Sequence, residues 1–166
     1  SMNLEQTAGA GDYKTVTRSS WPTEGYNFNA ELSRCENGST LSWDDTKKAV
    51  IVSGNLSDKC YVYFDLARFD ETCDGSTLAC RIAKQYTGTQ GENSLYYHDS
   101  TLANGAGDNS YRYAGASNNV NNYICLGSDA TTCPDANLFR IIGVFGDQTK
   151  VIRAKSVGDK AWHSST

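Results

Sequence analysis

Six cysteines in 166 residues, at positions 35, 60, 73, 80, 125 and 133, limit what this chain can fold into more than any other feature. No two of them have the Cys-x-x-Cys spacing, so neither a redox pair nor the knuckles of a zinc site are present. Histidine cannot make up the ligands, because only His98 and His163 occur. An even count set among polar loops points to disulfides, and six cysteines allow fifteen pairings. Local order favours Cys35–Cys60, Cys73–Cys80 and Cys125–Cys133, each flanked by strand or turn signals; the competing reading is six reduced, buried thiols. Each bridge is worth roughly 2–4 kcal/mol on the chain-entropy argument, the longest loop most. Disulfides persist in oxidising compartments, so an extracellular location, at a bacterial cell surface, is the expectation.

Composition narrows the class further. Gly, Asn, Ser and Thr together exceed a third of the chain, and the net charge is −4. A protein that tracks nucleic-acid phosphates needs a surplus of Lys and Arg, so nucleic acid is not an expected partner. No apolar run reaches membrane-spanning length, and any anchor is expected outside these residues. Ser1-Met2 reads as a leftover of cloning, with an export signal removed. With 11% aromatic residues the chain is too apolar for a disordered tail.

Residues 1–20 are small and polar without apolar periodicity, and read as a flexible leader or stalk. From Trp21 to residue 70 a small β unit, sandwich-like or a meander, is expected. One strand runs from Tyr26 to Cys35, then Thr40–Trp43, Ala49–Ser53 and Cys60–Phe64 follow with turns between them. Residues 71–166 read as an α+β unit. One short helix over 77–86, capped by Ser76 and ended by Gly88, buries Leu78, Ile82 and Tyr86. The clearest hairpin joins Leu138–Phe145 to Thr149–Arg153. Its first strand puts Phe139, Ile141 and Phe145 on one face and Leu138, Ile142 and Val144 on the other, the mark of a central strand buried on both sides. Such a strand needs neighbours, and the sequence reads as truncated at its C-terminus before a second layer is complete. The fold class expected is mainly β (α+β), with antiparallel sheets, one short helix and disulfide stabilisation.

Three stretches carry a resemblance. Leu41-Ser42-Trp43-Asp44 through Lys59–Asp65 is the first, and Gly91–Asp99 leading to Asp108–Ala116, with Tyr111-Arg112-Tyr113-Ala114-Gly115, is the second. Asn121–Ser128 leading to Leu138-Phe139-Arg140-Ile141-Ile142-Gly143-Val144-Phe145 is the third. Over roughly residues 25–155 the chain resembles a largely uncharacterised family of secreted or surface-anchored proteins of gut Firmicutes. The resemblance implies a membrane segment before this region and a Leu/Asn-rich helical segment after it. It implies no catalytic residues, since no enzymatic activity is general to the family.

Candidate chemistry is sparse. His98-Asp99, with Ser94 or Ser100 nearby, is the one pair that could serve a hydrolase, but no strained nucleophile turn accompanies it, and a hydrogen-bonded loop histidine competes. No cofactor is expected, calcium being the one ion the loop residues Asn104, Asp108 and Asn109 could hold; Asn and Asp also populate turns for conformational reasons. The favoured ligand-binding set is Tyr96, Tyr97, Asp99, Asp108, Tyr111, Arg112, Tyr113 and Tyr123. Tyrosine rings stack on apolar sugar faces while carboxylates and amides bond the hydroxyls. The competing reading is that these tyrosines build a core poor in leucine. Trp21, Trp43 and Trp162 read as packing residues, and the C-terminal thirty residues carry an excess of basic side chains. The function expected is non-enzymatic, adhesin-like recognition of a host glycan or surface protein. A pilin-like or stalk subunit is the alternative, and a glycan or cell-wall hydrolase a second one.

Overall fold

The computed structural model describes residues 1–22 and 24–156; Trp162 and His163 lie outside them. Among the described residues the chain is mainly β, in two five-stranded sheets and a separate hairpin. The first sheet holds β1 (Met2–Glu5), β2 (Tyr13–Val16), β3 (Tyr26–Phe28), β4 (Arg34–Cys35) and β7 (Cys60–Leu66). Its order is β2-β1-β7-β3, with β4 beside the start of β7. Only β1 and β7 run parallel, Met2 opposite Val62. β5 (Thr40–Asp44) and β6 (Ala49–Ser53) pair with each other. Two short helices follow, α1 (Phe69–Thr72) and α2 (Leu78–Ala83). The second sheet holds β8 (Leu95–Tyr97), β9 (Tyr111–Tyr113), β10 (Tyr123–Cys125), β11 (Leu138–Phe145) and β12 (Gln148–Arg153).

The disulfides are those that local order favours: Cys35–Cys60, Cys73–Cys80 and Cys125–Cys133. The first ties β4 to β7, where the two cysteines sit directly opposite. The second fastens α2 to the end of α1. Thr77, rather than Ser76, caps α2 by accepting the Cys80 N–H at 3.1 Å. Ile82 is buried, and Leu78 and Tyr86 pack beside it as the helical spacing requires. Three disulfides place the chain in an oxidising, extracytoplasmic environment. No helix among the described residues is long and apolar enough to cross a membrane.

Several expectations need correction. Residues 2–5 are a strand buried along its whole length, and not part of a flexible leader. Met2 and Leu4 join Phe64 in the core of the first sheet. The polar partners between them are satisfied by remote residues. Thr15 donates to the Asn3 side chain at 2.7 Å, and the Glu5 carboxylate accepts N–H groups from Gly9, Gly11 and Leu66 at 3.0–3.3 Å. A buried carboxylate is tolerated because three donors replace its water. None of this has a local signature. The expected strand from Tyr26 to Cys35 breaks into β3 and β4 around a turn at Asn29, whose side chain accepts the Leu32 N–H. Nor do β5, β6 and β7 form a meander, since β7 takes β1, β3 and β4 as neighbours instead.

The last correction concerns β11. Ile141 pairs with Val151 but Gly143 with Lys150, so Ile142 is an extra residue in a bulge. The bulge shifts the alternation by one. Ile141 and Val144 both point into the core, while Phe145 turns to the other face beneath Arg112 and Lys150. Gly143 is buried where β9 crosses closest: a Cβ there would lie 2.0 Å from the Tyr111 carbonyl oxygen.

Polar contacts join the second sheet and its loops to α1 and to the β1–β2 loop. Tyr111 donates its hydroxyl to Asp70, whose own N–H donates back to that oxygen at 3.0 Å. Ser100 donates to the Gly9 carbonyl at 2.7 Å. Asn109 reaches the Ala8 carbonyl at 3.3 Å.

Candidate functional site

The structure does not gather the expected ligand-binding residues into one surface. Strand alternation divides them between the two faces of the second sheet. Tyr97 and Tyr111 are buried with their ring centroids 4.8 Å apart, edge to face, and Tyr86 completes the cluster. They are core residues, each filling space that leucine fills in other proteins. Tyr113 packs against the same core and donates to Gln85 at 3.0 Å. Tyr96 pairs with Arg112, and together with Arg112 lies on the opposite face. Tyr123 is 51% exposed on that face, with the Arg140 guanidinium 4.5 Å from its ring centroid.

Burial of these phenols has a pH consequence. Burial first, and then the nearby Asp99 charge, push Tyr97 up to about 12. Burial and hydrogen bonds donated to Asp65 and Asp70 raise Tyr13 and Tyr111 as well. In the unfolded chain all three ionise near about pH 10, whereas the fold keeps them protonated. Above that value the unfolded state gives up protons that the native state retains, so stability falls as pH rises. Between about pH 8 and pH 10 denaturant midpoints are expected to hold level, and to drop steadily above that. Tyrosinate absorbance of the folded chain should show a group titrating late.

The sequence candidates for catalysis and metal binding have other employment. His98 accepts the Ala106 N–H through Nδ1 at 2.9 Å. Burial, and then the Arg112 charge, lower its pKa. Asp99 accepts both the N–H and the hydroxyl of Thr101. Among the described residues no hydrogen bond joins His98 to Asp99, Ser94 or Ser100. Asn104 and Asn109 occupy left-handed backbone, as turn residues do. Burial pushes the Asp108 carboxyl up, but hydrogen bonds from Ser110 and Arg112 outweigh it and hold it at about 2. Its second oxygen accepts from Arg112 at 2.8 Å. These carboxylate and amide groups serve turns and a salt bridge.

What sequence reasoning missed is a cleft of about 550 Å³ between β3 and the β5–β6 hairpin. Its floor is aromatic. Phe28 and Trp43 lie nearly parallel, 18° apart with centroids at 6.2 Å, and Trp43 meets the buried Phe64 edge to face at 5.6 Å. Tyr26 lines the same wall. The rim is charged: Glu24, Asp45, Lys48 and Glu71, with Lys48 bonded to Asp45 at 2.7 Å. Asp45 also accepts the Trp43 indole N–H at 3.3 Å, which orients the ring. The nearest local signal is the alternation of exposed Ser42 with half-buried Trp43, followed by Asp44-Asp45. The other wall comes from β3, and pairing across the chain is invisible locally.

Beside the cleft, and sharing Asn27 and Glu71 with it, is a recess of about 320 Å³ rimmed by Glu5, Asp65, Glu71 and Asp99. Its acids are internally satisfied. Tyr13 and Asn29 donate to Asp65, and Glu71 caps α1 by accepting the Arg68 N–H at 2.8 Å. The recess is therefore a polar seam of the fold, and the aromatic cleft is the stronger candidate site. Comparison with protein-family models, curated proteins and solved structures finds no match to this chain.

Proposed function

We propose that this chain is a bacterial surface domain acting by recognition, and that a glycan of the host binds in the Trp43 cleft. The observation that supports this most is the pairing of a half-buried aromatic floor with a hydrogen-bonding rim. Rings of Tyr26, Phe28 and Trp43 offer flat apolar faces to the C–H side of a sugar, while Glu24, Asp45 and Lys48 reach the hydroxyls. The aromatic groups are held in place before binding, which lowers the ordering cost of association. Glycan-array binding followed by calorimetry tests the reading. Trp43→Ala is expected to weaken the best ligand at least tenfold. Because Trp43 also packs on the core, Lys48→Ala, a change on the exposed rim, provides a second readout in a chain whose fold is undisturbed. Binding that ignores both substitutions, or no saturable glycan on the array, removes the proposal.

One observation favours an assembly role as a second reading. Several strands have free edges among the described residues, and of these β2 and β12 carry Lys14 and Lys150 as charged blocks. β6 reads Ala-Val-Ile-Val-Ser, without charge, and leaves Ile51 and Val52 partly exposed. A chain that binds no glycan but sediments as a concentration-dependent oligomer would support this reading.

A further inference from the structure

β9 and β10 share one edge of β11: β10 lies beside Leu138–Arg140 and β9 beside Gly143–Val144. The chain between them, residues 114–122, fills the gap along that edge. Asn122 accepts the Ile141 N–H at 2.8 Å through its carbonyl and donates its side-chain amide to the Ile141 carbonyl at 2.7 Å. Above this junction is a recess of about 260 Å³, walled by Tyr113, Val120, Ile142 and Ile152 and floored in part by Arg140.

Arg140 is the unusual member. Its Nε donates to the Asn122 side-chain oxygen at 2.8 Å, and its Nη2 to the carbonyls of Ser117 and Val120 at 2.7 and 2.9 Å. All three acceptors are neutral. The other arginines bonded to side-chain acids, Arg68 and Arg112, hold Asp70 and Asp108, whereas Arg140 enters no ion pair among the described residues. Among the described residues no acidic side chain lines the recess. Three neutral anchors and the ring of Tyr123 fix the guanidinium without cancelling its charge, and among the described residues Nη1 has no partner and remains for a ligand. Fixed, uncompensated guanidinium groups are the usual partners of carboxylates and phosphates.

We infer that this recess is a second binding site, which takes the carboxylate of an acidic sugar. The carboxylate meets Arg140, and the apolar ring face rests on Ile142 and Ile152. A volume below the roughly 300–1,000 Å³ of drug-sized pockets suits a single ring. The inference rests on the recognition reading only in taking the ligand to be a glycan; the Trp43 cleft has no part in it.

The test is a titration of the whole isotope-labelled chain, followed by amide NMR, with four probes: glucuronate, glucose, acetate and N-acetylalanine. Glucuronate is expected to shift Val120, Asn122, Tyr123 and Ile142 saturably, at least tenfold more tightly than glucose or acetate. Arg140→Met should abolish these shifts. Arg140 also anchors residues 117–122, so Ile152→Glu, which removes none of those anchors, serves as a second variant. Ile152 is 57% exposed and lies directly opposite Arg140, so a carboxylate there pairs with the guanidinium and repels the ligand, with spectral changes confined to the recess. Equal binding of glucose removes the role of charge. Acetate binding as tightly as glucuronate removes the sugar, and N-acetylalanine binding more tightly reassigns the recess to a peptide terminus. Unchanged glucuronate shifts in Ile152→Glu overturn the site itself. Trp43 and Lys48 signals report the cleft separately, so the two sites fail independently.

Discussion

Gly143→Val is expected to unfold the second sheet, and Gly143→Ala alone to cost more than about 3 kcal/mol, beyond the usual range for overpacking. The reason is where the added atom would go. Its neighbour at 2.0 Å is the carbonyl oxygen of Tyr111, a backbone atom of the strand paired with β11, and Arg112 Cα follows at 3.1 Å. A flexible side chain could swing aside, but a paired strand cannot. Relief requires β9 to leave β11, which would also pull Tyr111 from the core and from its bond to Asp70. Gly146 is the control. It occupies left-handed backbone at φ 64° with nothing within 4 Å of a Cβ, so alanine there meets conformational strain of only about 1–2 kcal/mol. Urea denaturation of the two alanine variants compares packing with backbone strain directly. If Gly143→Ala proves no worse than Gly146→Ala, the close approach of β9 and β11 is wrong.

Removing the disulfides is the second large effect. Among the described residues the buried core of the first sheet contains only Met2, Leu4 and Phe64, with partly buried neighbours around them. So small an interior contributes little beyond the entropy cost of ordering the chain, and loop closure supplies the rest. Cys35 and Cys60 are 25 residues apart, which makes the paired change to alanine worth about 3–4 kcal/mol. Cys73–Cys80 and Cys125–Cys133 close shorter loops, worth about 2–3 kcal/mol each. Summed, these approach the entire stability of an ordinary domain, roughly 5–15 kcal/mol. Full reduction is therefore expected to leave the chain largely unfolded at body temperature, with loss of near-ultraviolet circular dichroism. A reduced chain as stable as the oxidised one would show that the core carries the fold and would weaken the case for an oxidising compartment.

Much of this architecture was legible locally. Cysteine order yielded the three bridges, because the cysteines pair consecutively along the chain, each pair enclosing a short turn or a hairpin-like excursion. Periodicity at Leu78, Ile82 and Tyr86 marked the buried side of α2. The hairpin of β11 and β12 was equally plain, with a polar Gly-Asp-Gln turn between β-branched runs. The candidate sites were not. Tyr97, Tyr111, Tyr96 and Arg112 look alike as recognition residues in the sequence, and only the sheet shows that two face inward and two outward. Residues 1–20 show no apolar periodicity and read as a leader, yet residues 2–5 form a buried strand whose hydrogen-bond partners include Gly9, Gly11, Thr15 and Leu66.

By itself the sequence determined the covalent frame, the β-rich class, the positions of most strands and the extracytoplasmic setting, since each depends on residue type and on neighbours a few positions away. Tertiary structure alone decided which side of a strand faces water, where the bulge at Ile142 reverses that choice, and which distant residues meet at the Trp43 cleft and around Arg140. Those outcomes depend on the pairing of remote strands, where a shift of one residue exchanges core for surface and no local pattern records the shift.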